Sequence, residues 1–253
     1  MNKIPLPSLG TTFRKSLGLF FQTYFTLFPL VLLGAAFQYF FQKQFSIQIV
    51  TPDGHFVKEG LFALIILVSF GLLLISVVQA GMYSLYYQKG FNYADVIKKG
   101  LYRFFPLLNS TLILMLGLFL SAIILGIFIS LLCALLIYFL PKATPIFTAF
   151  IILFDIVLVL YFWSAIYVKS VLIVNESYSS WEGLKRSWAL TKQYRLDTLL
   201  IILLLCLPIA IISFTIYKLW GQTVLNVFQY LTTSLGVAFT IIHCEHLKKV
   251  REN

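Results

Sequence analysis

One carboxylate lies deep inside an apolar stretch of the 253-residue sequence. Asp155 falls within the run Ile146–Val174, which is long enough to cross a bilayer. An ionisable group in a transmembrane helix costs about 3 kcal/mol to insert and is a candidate for proton or ion coupling. A hydrogen-bonded Asp155 would instead fasten two helices together. The sequence leaves both roles open.

Two further series of polar or small residues are predicted to share helix faces. In the apolar run Thr223–Leu247, spacings of three and four join Asn226, Gln229, Thr233, Gly236, Thr240 and His243. In the run Leu61–Tyr86, a second face carries Ser69, Ser76 and Gln79. Lipid cannot satisfy these groups, so both faces are predicted to point into the protein. They either link helices or line a cavity for a solute or lipid headgroup.

The usual catalytic motifs are missing from the sequence. No Gly-rich phosphate loop, Ser/His/Asp set or motif-spaced pair of carboxylates occurs. His243 and His246 stand at i and i+3, but a structural zinc site needs about four ligands, and His55 is predicted on the other side of the membrane. We therefore predict no enzyme activity, catalytic residue, metal or other cofactor.

Three short basic segments recur along the chain. Phe13–Leu17, Ile97–Leu101 and Leu184–Trp188 each read apolar, basic, basic, small, apolar, and their starts lie 84 and 87 residues apart. Trp and Leu opposite Lys and Arg are typical of helices that lie in the headgroup layer. The residues predicted to contact anionic lipid headgroups are Arg14, Lys15, Lys98, Lys99, Lys185 and Arg186.

The composition requires a membrane to position these residues. The chain is 60% hydrophobic and 11% charged, with a mean hydropathy of +0.93, whereas soluble domains are about a quarter charged. An all-α polytopic transmembrane bundle is predicted, with three short basic interfacial helices and six spans of about 20 residues or more. The spans are Leu19–Phe41, Leu61–Tyr86, Leu107–Leu140, Ile146–Val174, Leu196–Lys218 and Thr223–Leu247.

The distribution of Lys and Arg predicts the orientation. With both termini in the cytoplasm, fifteen of the nineteen basic residues face inward, as the positive-inside rule requires. This topology also accounts for the net charge of +10 without a nucleic-acid partner. The prediction is one integral membrane domain, residues 1–253, in a bacterial inner membrane. Three repeats of a basic helix and a transmembrane hairpin would span residues 8–91, 92–178 and 179–253.

A stretch of about 17 residues, comprising Glu176 and Trp181–Lys192, resembles a motif of a bacterial multispan family. Its pattern, G-x-x-A-L-(R/K)-R-S-W-x-L-T-(R/K), belongs to proteins related to the membrane domain of glycerophosphodiester phosphodiesterases and to YciC-like inner-membrane proteins. The soluble phosphodiesterase domain of some relatives has no counterpart in these residues. The resemblance therefore implies a multispan membrane protein without phosphodiesterase activity.

Three functional hypotheses follow from these features. The first is a non-enzymatic protein of lipid handling or envelope homeostasis whose partners are anionic membrane lipids. The second is a small-solute or lipid transporter that uses Asp155, since repeated units around a central site are common in transporters. The third is a membrane anchor or assembly subunit, which leaves a protein partner or a homo-oligomer open.

Overall fold

The computed structural model describes residues 8–44, 57–87, 90–139, 153, 156–157 and 159–252. Within these ranges the chain is helical and contains no strand, which confirms the predicted all-α class. We number the helices α1 (Leu9–Gln44), α2 (Lys58–Tyr86), α3 (Tyr93–Phe139), α4 (residues 159–166), α5 (Lys169–Asn175), α6 (Ser180–Thr191) and α7 (Arg195–Glu252).

Four segments of the described chain are long and apolar enough to cross a membrane. They are Leu9–Phe41, Lys58–Tyr86, Tyr93–Ser121 and Arg195–Gly221. Large apolar side chains on their outer faces are exposed, as Phe25 at 84% and Leu196 at 76% illustrate. Apolar surface of this kind has no stable place in water and fits contact with lipid tails. The chain thus has the character of a helical membrane protein.

Helix α7 is a hairpin of two arms, α7a (residues 195–220) and α7b (residues 222–252). Gly221 separates them with φ 79° and ψ −174°, a left-handed conformation that glycine adopts at little cost. A hydrogen bond of 2.9 Å joins Thr198 Oγ1 to His243 Nε2 across the arms. The predicted turn at residues 220–222 therefore coincides with a real reversal of the chain.

Contacts between neighbouring helices place the three basic segments at one end of the molecule. Phe37 of α1 stacks on Phe70 of α2 at 3.8 Å, and Ser76 of α2 donates to the carbonyl of Gly100 in α3. Thr12 of α1 hydrogen-bonds His246 of α7b at 3.1 Å. These antiparallel pairs bring the starts of α1 and α3 beside the ends of α2 and α7b. We call the end that carries the basic segments Phe13–Leu17, Ile97–Leu101 and Leu184–Trp188 the basic end.

The core near the basic end takes most of its buried apolar side chains from three inner helices, and others such as Leu27 of α1 and Leu107 of α3 complete it. Fully or almost fully buried apolar side chains come from the second half of α2, from α5 and from α7b: Val77, Val78, Met82, Val171, Leu172, Ile173, Ile241 and Ile242. The α5 helix has only seven residues. Four of them are buried, because α2, α3, α6 and α7 all contact this helix. The core therefore holds the ends of three helices together beneath the basic segments.

The prediction of three short basic helices is wrong for two of the segments, and only the third segment lies in a short helix of its own. Leu184–Trp188 lies in α6, a separate helix that ends in a turn at residues 192–194. Arg14 and Lys15 lie instead in the first turns of the 36-residue α1, and Lys98 and Lys99 in those of the 47-residue α3. No turn separates these basic residues from the apolar run that follows, so each helix simply continues.

Candidate functional site

A capping box fixes the start of α6. Ser179 Oγ accepts a hydrogen bond from the Glu182 backbone N–H at 3.3 Å and donates to Glu182 Oε2 at 2.8 Å. The Ser179 N–H also donates to this carboxylate. These bonds lower the pKa of the Glu182 carboxyl. The single acid of α6 is therefore occupied at its own helix terminus and does not neutralise the basic residues beyond it.

Small residues fix how α6 faces the bundle. A Cβ on Gly183 would lie 2.4 Å from Ile173 Cγ1 of α5, so only glycine permits this approach. One turn on, Ser187 Oγ donates to the Ala165 carbonyl of α4 at 3.0 Å. With this face buried, Lys185 and Arg186 are exposed. The small residue of the motif thus sets the outward direction of the basic pair.

The other two basic segments follow the same arrangement. A Cβ on Gly100 would lie 2.7 Å from Val77 Cα of α2, and Ser16 is fully buried. Their basic neighbours point outward, except that Lys99 is half-buried with Nζ 5.6 Å from the Tyr83 ring. Five of the six predicted headgroup residues are exposed: Arg14, Lys15, Lys98, Lys185 and Arg186.

An apolar groove of about 380 Å³ lies between α3, α4 and α6. Its walls are aliphatic and aromatic, and one cation, Lys185, lies among the lining residues. The α3 wall runs from position 113 to 121, which is about 12 Å of helix axis. The lining residues are Ile113, Leu114, Gly117, Leu118, Ser121, Phe162, Ile166, Trp181, Leu184, Lys185 and Trp188.

Cations and tryptophans surround the α6 side of this groove. Lys185 Nζ lies 5.9 Å from the Trp181 ring centre. The Arg195 guanidinium lies 3.9 Å from the Trp188 ring and 4.4 Å from that of Tyr161, a cation–π arrangement. Across the described ranges, no acidic side chain forms an ion pair with Lys185 or Arg195. The groove therefore opens beside positive charge that has no ion-pair partner among the described acids.

Lys248, unlike Lys185 and Arg195, has acidic partners in the protein. Its ammonium pairs with Glu176 after α5 and, at 3.1 Å, with Glu245 one turn back in α7b. Burial opposes the charged form, yet the surrounding anionic groups raise the pKa of Lys248 above its usual value. The residue is therefore a constant cation that joins two inner helices, and it is not available for lipid.

A smaller cavity of about 190 Å³ holds two residues of the predicted polar face. Gln229 and Thr233 of α7b line it together with Gln38 of α1 and Gly71 of α2. Thr233 donates to the Gln229 carbonyl within its own helix at 2.9 Å. Gln38 carries no signal in the sequence that separates it from the other glutamines of α1, which are Gln22, Gln42 and Gln44. Asp155 and the Asn226 side chain lie outside the described residues.

The polar face of α2 is divided among different environments. Ser69 is half-buried, whereas Ser76 is fully buried and donates to the Gly100 carbonyl at 2.9 Å. Gln79 is fully buried, and both atoms of its amide lack a hydrogen-bond partner in the described protein. The structure therefore assigns Ser76 to helix packing and brings neither Ser69 nor Gln79 into the cavity lining.

The two histidines of α7b serve different helices. His243 Nε2 bonds Thr198 of α7a, while His246 Nδ1 bonds Thr12 of α1. Among the described residues, no group of three metal-ligating side chains occurs.

Sequence reasoning gave no special place to Lys169, which lies in α5 and reaches α3. It donates to Thr111 Oγ1 at 3.0 Å and to Ser110 Oγ at 3.4 Å. A single lysine within the apolar stretch 165–174 was the available signal.

Among the described residues, three of the cavities could hold a ligand. They are the apolar groove bordered by cations and tryptophans at the basic end, the small polar cavity between α1, α2 and α7b, and a cavity of about 360 Å³ whose lining includes Asp95 and Lys99. The apolar groove is the best suited to a phospholipid, because positive charge without an ion-pair partner among the described acids adjoins apolar surface there. Comparisons of the chain with protein-family models, with curated proteins and with solved structures find no significant match.

Proposed function

We propose that this chain is a non-enzymatic integral membrane protein that binds anionic phospholipid headgroups at its basic end. The observation that carries the proposal is the outward exposure of Arg14, Lys15, Lys98, Lys185 and Arg186 at one end, without ion-pair partners among the described acids. Each basic residue near an anionic membrane surface contributes about 1 kcal/mol of attraction. Such binding would serve lipid handling or envelope homeostasis, the role we assign to the protein.

The proposal includes a bacterial inner-membrane protein with six spans and both termini in the cytoplasm, related to the multispan family named above. Its support is the asymmetry of charge between the two ends. In the described ranges the end opposite the basic end carries Lys43, Lys58 and Lys218, all exposed. Basic residues are retained on the cytoplasmic side, so the basic end is assigned to that side.

A threefold repeat is part of the same proposal. Its support is the equivalent packing of the three basic segments on the helix that closes the preceding hairpin. Gly100 contacts Val77 of α2, and Ser187 contacts Ala165 of α4. Thr12, one turn before Ser16, contacts His246 of α7b, so the last hairpin meets the first segment. Three units would then close into a ring.

The proposal is tested by removing charge from one end at a time. The fourfold variant Lys98→Gln, Lys99→Gln, Lys185→Gln, Arg186→Gln should retain less phosphatidylglycerol after purification in mild detergent. The control removes the three basic residues described at the opposite end, with Lys43→Gln, Lys58→Gln and Lys218→Gln, and its lipid content should equal that of the wild type. Equal phosphatidylglycerol retention in both variants would overturn the proposal.

The polar cavity favours transport of a small solute or lipid as a second candidate. Gln38, Gln229 and Thr233 supply hydrogen-bonding groups to one cavity between helices. In this candidate Asp155 couples protons or ions, as its depth in an apolar run suggests. Asp155→Asn should then abolish solute or lipid flux in proteoliposomes with no loss of thermal stability. Unchanged flux would reject it.

A further inference from the structure

The groove between α3, α4 and α6 combines apolar surface with positive charge, as a phospholipid site requires. Its interior is apolar, and the α6 side supplies the Lys185 ammonium with the Arg195 guanidinium held against Trp188. Nε of Arg195 is buried and has no hydrogen-bond partner in the described protein. Tryptophan and basic residues together mark the level of lipid headgroups in membrane proteins.

We propose that this groove binds one anionic phospholipid, with an acyl chain along the α3 wall and the phosphate beside Lys185. The inference rests on the proposed function and adds a defined, saturable site to it. Charge complementarity selects the occupant, because a groove for a neutral apolar segment would need no cation beside it. The α3 wall of about 12 Å accepts part of a lipid tail, and its one hydroxyl, that of Ser121, already donates to the Gly117 carbonyl.

Gly117 provides the means to close the groove without disturbing the fold. A Cβ at Gly117 meets no heavy atom within 4 Å, so the residue faces open space. Leucine there would occupy the groove, and it has a higher helix propensity than glycine. Gly126 lies farther along α3, also faces open space and does not line the groove, so Gly126→Leu is the matched control.

The experiment titrates delipidated, detergent-solubilised full chain with dioleoyl phosphatidylglycerol and counts bound lipid by native mass spectrometry. The wild type should show one tight site. Gly117→Leu should weaken that site at least tenfold, and Gly126→Leu should leave it within about twofold. Lys185→Gln should weaken phosphatidylglycerol binding about tenfold and weaken dioleoyl phosphatidylcholine binding less, because choline offsets the charge of the phosphate in that lipid.

Wild-type affinity for phosphatidylglycerol in Gly117→Leu would overturn the groove site. The fourfold charge variant then tests the proposed function separately. Phosphatidylglycerol that is bound only through its headgroup would still be lost when the four charges are removed. Equal binding of phosphatidylcholine and phosphatidylglycerol by the wild type would also overturn the inference. Should Gly117→Leu not fold, Ser121→Leu fills the same groove from the next turn and replaces it.

Discussion

Small residues at the basic end act as spacers that determine which way the charges point. Gly100 and Gly183 lie where two helices approach too closely for a larger side chain, and Ser187 is fully buried between α6 and α4. The adjacent basic pairs follow the helix around and emerge on the opposite face. At this scale a glycine controls lipid contact indirectly, through the orientation of its neighbours.

Gly100→Ala should lower stability. Its Cβ would lie 2.7 Å from Val77 Cα, so backbone must move, and overpacking of this kind costs about 1–3 kcal/mol. Gly126→Ala in the same helix faces open space and should be neutral or slightly stabilising. Thermal unfolding in detergent compares the two variants. A melting temperature for Gly100→Ala at or above that of Gly126→Ala would contradict the close packing of α2 and α3.

At the scale of the element, α6 depends on its cap as well as on its packing. It has twelve residues, a length at which an isolated helix is marginal in water. The Ser179–Glu182 box satisfies free N–H groups at its start, and the buried Gly183 and Ser187 attach it to α5 and α4. Loss of the cap should loosen α6 and the side of the groove that it forms.

This expectation has a defined pH dependence. The pKa of Glu182 is lowered in the folded protein, so its contribution is complete above the unfolded value of about 4.3 and is lost as pH falls through the folded value. Amide-exchange protection factors of residues 182–191 should drop across that window. In Glu182→Gln this pH dependence should vanish. A wild-type protection factor that stays constant from pH 6 to pH 3 would refute the role of the cap.

At the scale of the whole molecule, the inner helices place three helix ends beneath one charged surface. Lys248 links the end of α5 to α7b, and Thr12 links α7b to α1. The outer faces of α1, α3 and α7a keep large apolar side chains exposed. The molecule therefore combines a firmly packed basic end with a lipid-compatible belt.

Six spans with both termini in the cytoplasm predict which positions a membrane-impermeant thiol reagent reaches from outside intact cells. In a cysteine-free background, Asp53→Cys, Lys142→Cys and Gln222→Cys should react before permeabilisation. Ser8→Cys, Asn92→Cys and Ser177→Cys should react only afterwards. Labelling of Lys142→Cys only in permeabilised cells would remove the third and fourth spans from the topology.

Some features of the protein were readable from its sequence alone. Long apolar runs with few charges place the backbone in lipid, where a helix hydrogen-bonds its own N–H and C=O groups. The class of helical membrane protein therefore follows from the composition. The Trp220–Gln222 interruption marked the reversal at Gly221, since glycine adopts positive φ readily. The basic, small, apolar pattern likewise singled out residues that the structure places at one end.

Other features needed the tertiary structure. Of the three basic segments, only the one in α6 is followed by a turn, at residues 192–194, that separates it from the next helix. The hydropathy of the sequence does not predict that turn. The groove is assembled from α3, α4 and α6, with Gly117 and Trp181 separated by more than sixty residues. Spacing within one helix cannot predict such a site, because its shape depends on how closely small residues such as Gly183 let separate helices approach.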